Sequence, residues 1–141
     1  MGSCGFGWLP HISPESISFS RILTLCGETG STADLATVGP AVTVTVSSTG
    51  QTLVTITAEL FNSTNNGICF MGFAVSGATT LAASNTQALR FQSPAANGRA
   101  QMSATYLVTG LTSGSNTFTA MYRAVANTCT FLNRNIIVIP Y

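Results

Sequence analysis

Residues 41–62, AVTVTVSSTGQTLVTITAELFN, decide the fold class of this chain. Val42, Val44 and Val46 occupy every second position, and the same period resumes at residues 54–60 after the polar segment 47–50. Successive side chains of a β-strand point to opposite faces of its sheet, so a period of two predicts a half-buried strand. The stretch is therefore predicted to be two strands joined by a tight turn at Gly50.

The same signals continue to residue 139. Further strands are predicted at residues 68–75, 87–91, 100–108, 116–125, 128–132 and 135–139, with Gly and Asn residues between them. About eight strands at this short spacing are typical of a β-sandwich. No segment has a convincing helical period, and residues 79–88 are interpreted as loop and strand. We therefore expect an all-β fold, an antiparallel jelly-roll sandwich spanning residues 35–141.

Residues 1–34 are predicted to form an extended N-terminal docking arm with one short strand at about residues 16–25. Pro10, Pro14 and three early glycines oppose regular structure there. The arm is also rich in apolar side chains, which are costly to leave in water. The arm residues predicted to bind a partner are Phe6, Trp8, Leu9, Ile12, Phe19 and Ile22.

The chain carries very little charge. Only 6% of its 141 residues are charged, against about a quarter in ordinary soluble domains, while 45% are hydrophobic. Charge normally keeps a monomer soluble and discourages association. This composition favours a chain that is covered within a symmetric assembly; a secreted adhesive β-domain is the alternative.

Several predicted strands have small or apolar residues on both faces. One face of such a strand fills the core, and a second face with few charges suits a subunit interface. We therefore predict a homotrimer of jelly rolls. The interface residues predicted for it are Leu107, Thr119, Met121, Arg123 and Tyr141. The alternative is a monomeric sandwich whose outer face is threonine-rich because threonine favours strands.

Charge and hydropathy argue against two classes of partner. A net charge of +1 with dispersed arginines gives no electrostatic footprint for nucleic acid, and no apolar run approaches the roughly 18 residues of a membrane span. The N-terminus has no signal-peptide pattern, which predicts synthesis in a cytoplasm. Free thiols are then expected at all four cysteines, which are Cys4, Cys26, Cys69 and Cys129.

Groups for catalysis or cofactor binding are scarce. The one histidine, His11, lies in the arm and is interpreted as a packing residue rather than a general base. The four acids are scattered, and no Cys-x-x-Cys pair or glycine-rich phosphate loop is present. We therefore predict no enzymatic activity, no metal and no cofactor.

The arginines allow two interpretations. Arg90, Arg99, Arg123 and Arg134 either gather at a trimer axis or on an anionic sugar, or each pairs locally with a carbonyl group or with Glu59. Isolated arginines are normally surface groups, so local pairing is favoured.

A family resemblance covers about three-quarters of the chain. The segments that carry it are LATVGPAVTVTVSSTGQTLVTITAEL (35–60), FMGFAVSGATTLAAS (70–84), YLVTGLTSGSNTFTAMYR (106–123) and NRNIIVIPY (133–141). In these segments the chain resembles a small virion module of tailed phages, including actinobacteriophages. The resemblance implies a trimeric jelly roll of tumour-necrosis-factor type and a location in the virion. Cys69 and Cys129 stand where small or hydroxyl residues are expected in this family.

Two functions follow as hypotheses. The first is a capsid decoration protein that is assembled in the host cytoplasm, trimerises on the capsid surface and anchors on the major capsid protein through its arm. The second is a tail-tip or tail-fibre module that recognises a host glycan through the loops at residues 62–67 and 113–116.

Overall fold

The computed structural model describes residues 18–21, 28–29 and 37–141. Within these residues the chain forms β-strands and one short 3-10 turn, Asn85–Gln87. The strands are β1 (Ser18–Arg21), β2 (Glu28–Thr29), β3 (Thr37–Val46), β4 (Thr52–Asn62), β5 (Ile68–Gly77), β6 (Leu89–Gln92), β7 (Arg99–Val108), β8 (Gly114–Val125) and β9 (Cys129–Pro140). The predicted all-β class is confirmed.

Two antiparallel sheets face each other across one core. In the run 37–141, the first sheet has three strands in the order β9-β4-β7, and the second has four in the order β3-β8-β5-β6. The short strands β1 and β2 pair with different parts of β9 and so extend the first sheet beyond it. In this arrangement β7 is one edge of the first sheet, and β3 and β6 are the edges of the second.

Side chains that alternate in the sequence point alternately into the core and towards the outside of the sandwich. Along β4 every second side chain is buried and the others are half-buried, and β8 and β9 largely repeat this pattern. The largest fully buried side chains are Tyr122, Phe73, Phe118, Phe131, Ile56, Leu60, Met71, Ile136, Val46, Val54, Val138 and Asn62. Burial of so many aliphatic and aromatic groups is the main force that holds the sheets together.

The C-terminal strand differs from its prediction. Residues 128–132 and 135–139 were expected to be two strands, because Asn133 and Arg134 interrupt the apolar pattern. They form one strand, β9, whose register against β4 shifts between Thr57 and Glu59. Asn133 has a φ of 49° at this irregularity, so a bulge accommodates the polar pair without ending the strand.

The prediction of four free thiols is wrong for two of the cysteines. Cys69 in β5 and Cys129 in β9 form a disulfide, with 5.8 Å between their Cα atoms. The two strands belong to different sheets, so the bond crosses the core instead of a strand ladder. The prediction rested on an expected reducing compartment, and it did not take into account that both residues would be buried on facing strands. Cys4 and Cys26 lie outside the described residues.

Most of the predicted arm also lies outside the described residues, including Phe6, Trp8, Leu9, Ile12 and Ile22. Phe19 is in β1, where its backbone pairs opposite Ile137 of β9. Two short parts of the predicted arm thus add strands to the sandwich. No helix in the described part of the chain is long and apolar enough to cross a membrane.

Candidate self-association surface

The outward side of β9, β4 and β7 is a surface without ionisable side chains over most of its length. We call it the neutral face. Three rows of cross-strand neighbours make it up: Leu107–Leu53–Ile139, Thr105–Thr55–Ile137 and Ser103–Thr57–Asn135. Each row takes one residue from each strand, so the face combines aliphatic groups at one end with hydroxyl and amide groups at the other.

Two large apolar side chains are strongly exposed at the aliphatic end of the neutral face. Leu107 is 57% exposed and Tyr141, which follows β9, is 51% exposed. The backbone N–H of Tyr141 donates to the Gln51 carbonyl, and its own carbonyl accepts from the hydroxyls of Ser47 and Thr49. These bonds fix the Tyr141 backbone beside the β3–β4 turn, so the exposed ring is held at a defined place.

The hydroxyl groups of the neutral face are already satisfied within the sheet. Thr55 Oγ1 and Thr105 Oγ1 are 2.9 Å apart, and the Thr57 hydroxyl donates to Ser103 Oγ at 2.9 Å. The Ser103 hydroxyl donates in turn to the Ile56 carbonyl. Because burying an unpaired hydroxyl is what makes a polar surface costly to dehydrate, these pairs lower the cost of covering the face.

On β4 and β7, the charged side chains of this surface are Glu59 and Arg99, at the far end of the two strands. In the adjoining short strands, the backbone of Arg21 pairs opposite Asn135 and that of Glu28 opposite Thr130. Arg99 lies 3.6 Å from Glu59 in a salt bridge and places its guanidinium 4.8 Å from the centre of the Phe61 ring. Asn133 donates to the other oxygen of the same carboxylate. The two charges therefore neutralise each other at one end and leave the three rows uncharged.

The outward side of the second sheet is different, because it carries two arginines in one row. Phe70 of β5 pairs with Arg90 on one side and with Arg123 on the other, and the Arg123 guanidinium lies 5.7 Å from the Phe70 ring. The Arg90 side chain donates to Gln92.

The five residues predicted to form the trimer interface are divided between these two faces. Leu107 and Tyr141 belong to the neutral face, whereas Thr119, Met121 and Arg123 lie on the outward side of β8 in the second sheet. The sandwich stands between the two sets, so they belong to two different surfaces of the chain.

The fourth arginine lies inside the sandwich. Arg134 is only 9% exposed and its guanidinium is 5.3 Å from the centre of the Tyr122 ring. Burial raises the pKa of the Tyr122 hydroxyl to about 12, although the positive charge of Arg134 acts in the opposite direction. The four arginines predicted either to gather or to pair locally thus occupy three separate places.

The two loops predicted to hold a glycan lie at opposite ends of the sandwich. Residues 62–67 connect β4 to β5, and this loop bonds through Asn66 and Gly67 to Ser93 in the β6–β7 connection. Residues 113–116 lie at the start of β8, which pairs with the end of β3. A single glycan site therefore does not include both loops.

Candidate metal ligands do not cluster either: no group of three or more His, Cys, Asp or Glu side chains comes together among the described residues. No protein-family model matches the chain, and no curated protein matches it in sequence.

Proposed function

We propose that this chain is a self-assembling structural protein of a phage virion that decorates the capsid as a homotrimer. The observation that carries the proposal is the neutral face, with its exposed Leu107 and Tyr141 and its internally paired hydroxyls. In a homotrimer, residues close to the three-fold axis meet their own copies, and like charges there repel each other. The neutral face avoids that repulsion, because its three rows carry no charged side chain.

The jelly-roll assignment belongs to this proposal. Strands β1, β9, β4 and β7 lie side by side in one sheet, and β3, β8, β5 and β6 in the other. This distribution of eight strands over two facing sheets is the one expected of two interlocked Greek keys, which define a jelly roll. Trimeric jelly rolls occur in the virion modules that the sequence resembles.

The proposed partner of the trimer is the major capsid protein, bound through the N-terminal arm. In this proposal Phe6, Trp8 and Ile12 enter grooves of the capsid lattice, while the sandwich stays outside. The disulfide supports a location of the protein at the virion surface, since disulfide bonds persist at virion and cell surfaces and are rare in the cytosol. The chain would then be made reduced in the host cytoplasm and oxidised after release.

The self-association test uses native mass spectrometry and sedimentation at micromolar concentration. We expect a trimer for the natural chain and at least about tenfold weaker association for Leu107→Glu, because that substitution places three carboxylates together on an apolar surface. Thr45→Glu is the matched control: it adds the same charge at an exposed strand position of the second sheet. A stable monomer, or equal effects of the two variants, would refute the proposed contact.

The capsid-binding test removes residues 1–16, which leaves β1 and β2 in place to pair with β9. We expect the shortened chain to remain folded and trimeric and to lose binding to purified capsids. Trp8→Ala in the full chain should weaken binding without shifting the melting temperature, since aromatic anchors dominate many interfaces. Retention of full capsid binding after truncation would reject the anchoring role.

The copy number per virion separates this function from a tail-tip module that binds glycans. Hundreds of copies are expected for decoration, while a few dozen or fewer would support the tail assignment.

A further inference from the structure

Strand β7 is an edge strand without the features that usually protect an edge. Its ten residues pair with β4 without any register shift, and among the described strands none pairs with its other side. It contains no proline, lysine or acidic residue, and its one charged residue is Arg99 at the first position. Exposed edges are normally blocked by such residues, by bulges or by shortness, because a free edge is a template for another strand.

The edges of the second sheet show the contrast. Strand β3 contains Pro40 and a register shift between Val38 and Ala41, and β6 has only four residues, one of which is Arg90. Each of these edges therefore has a recognised device against pairing. The longest regular edge in the described part of the chain is the one that lacks such a device.

The inward side chains of β7 are also incompletely covered. In β4 the inward residues are fully buried, but Ala100, Met102, Ala104 and Tyr106 of β7 are only half-buried at the side of the core. The Tyr106 ring reaches Phe73, with 6.1 Å between their centres. A strand added beside β7 would cover these side chains. It would also form hydrogen bonds with the backbone N–H and C=O groups of β7 that face away from β4.

We propose that the occupant of this edge is β7 of a second copy of the chain, in antiparallel register about Ser103. In this register Met102 faces Ala104 of the other copy and Tyr106 faces Ala100, so each large inward side chain meets a small one. Arg99 faces Leu107, which keeps the two Arg99 side chains at opposite ends of the contact. The two first sheets then become one continuous sheet, with the two copies of β7 side by side at its centre.

This contact is separate from the neutral face. It joins two copies edge to edge, whereas the contact in the proposed trimer uses the outward surface of the sheet, so the edge contact links neighbouring trimers or single chains. It does not depend on a virion location or on the arm.

Cysteine pairs test the register directly. In a Cys4→Ser/Cys26→Ser background, chains with Met102→Cys are mixed with chains carrying Ala104→Cys and oxidised mildly. The proposed register places these two positions opposite each other, within reach of a disulfide, while identical positions lie about 8 Å apart and beyond the usual Cα limit. We expect a cross-linked dimer from the mixture and little from either variant alone. These side chains point inward, so a contact through the neutral face does not join them.

A charge substitution provides the second measurement. Met102→Lys places two positive charges on the inward side of the joined edge, at positions about 8 Å apart. It should weaken the edge dimer at least about tenfold in sedimentation, whereas Thr45→Lys, on an exposed position of β3, should not. Absence of the mixed cross-link would overturn the edge proposal, even if Met102→Lys lowered association by destabilising the fold. Unchanged trimers in Leu107→Glu with the mixed cross-link retained would reject the neutral-face contact and leave the edge contact intact.

Discussion

Removal of the Cys69–Cys129 disulfide should lower the stability of the sandwich strongly. The bond joins residues separated by 60 positions and links β5 of one sheet to β9 of the other. In the chain-entropy account, closing a loop of this length in the unfolded state is worth about 4 kcal/mol at 25 °C. For a domain of this size, that loss corresponds to a fall of about 15–20 °C in melting temperature.

The surroundings of the bond favour a loss of this size. Both cysteines are completely buried, and the Asn62 side-chain amide donates to Cys129 Sγ at 3.2 Å and to Cys69 Sγ at 3.6 Å. The Asn62 carbonyl oxygen accepts from the backbone N–H and the hydroxyl of Thr64. Replacement of the sulfurs thus leaves a buried amide donor without its partners, which adds a cost of its own.

The assay is urea unfolding of the oxidised chain, the same chain in excess reductant, and Cys69→Ala/Cys129→Ala, each followed by circular dichroism. The control is Cys4→Ser/Cys26→Ser, which leaves the disulfide intact and should unfold like the natural chain. Equal stabilities in oxidised and reduced samples, within about 1 kcal/mol, would refute the reasoning that this bond fastens the two sheets.

Two further predictions concern Tyr122. Its raised pKa of about 12 means that the folded state favours the neutral phenol, so this contribution to stability is complete below about pH 10 and is lost as the pH rises towards 12. Ultraviolet titration should show that one of the three tyrosines ionises at higher pH than the others. The substitution Tyr122→Phe should remove that late step. Gly39→Ala should destabilise the fold by about 1–3 kcal/mol in urea unfolding, because a Cβ there would lie 2.1 Å from the Tyr122 hydroxyl; an unchanged midpoint would show that the ring moves aside easily.

The sequence predicted strands better than it predicted contacts between strands. Alternation in residues 41–62 depends only on neighbours along the chain, and β3 and β4 follow it closely. Which strands face each other across the core depends on the order of the strands in the two sheets. The alternation of apolar and polar residues gives no information about that order. Free thiols at Cys69 and Cys129 were expected from a reducing compartment, and alternation could not correct this, because it does not show that β5 and β9 face each other.

The predicted interface shows the same limit. Alternation correctly placed Leu107 and Met121 on outward faces, because each is flanked by inward neighbours. It gave no information about which sheet each strand joins, so residues of β7 and β8 were combined in one surface. The separation of the two faces required the pairing of β7 with β4 and of β8 with β5.

The few charged side chains of this chain are unevenly placed in the structure, and composition alone does not show this. Arg99 and Glu59 neutralise each other at one end of the first sheet, Arg134 is buried against Tyr122, and Arg90 lies on the outward side of the second sheet. The three rows of the neutral face, and β7 after Arg99, carry no charged side chain. A chain that meets only water gains nothing from such an arrangement, since scattered charges serve solubility better. In the proposed assembly, contact between copies accounts for the uncharged rows, since like charges on neighbouring copies would repel each other there.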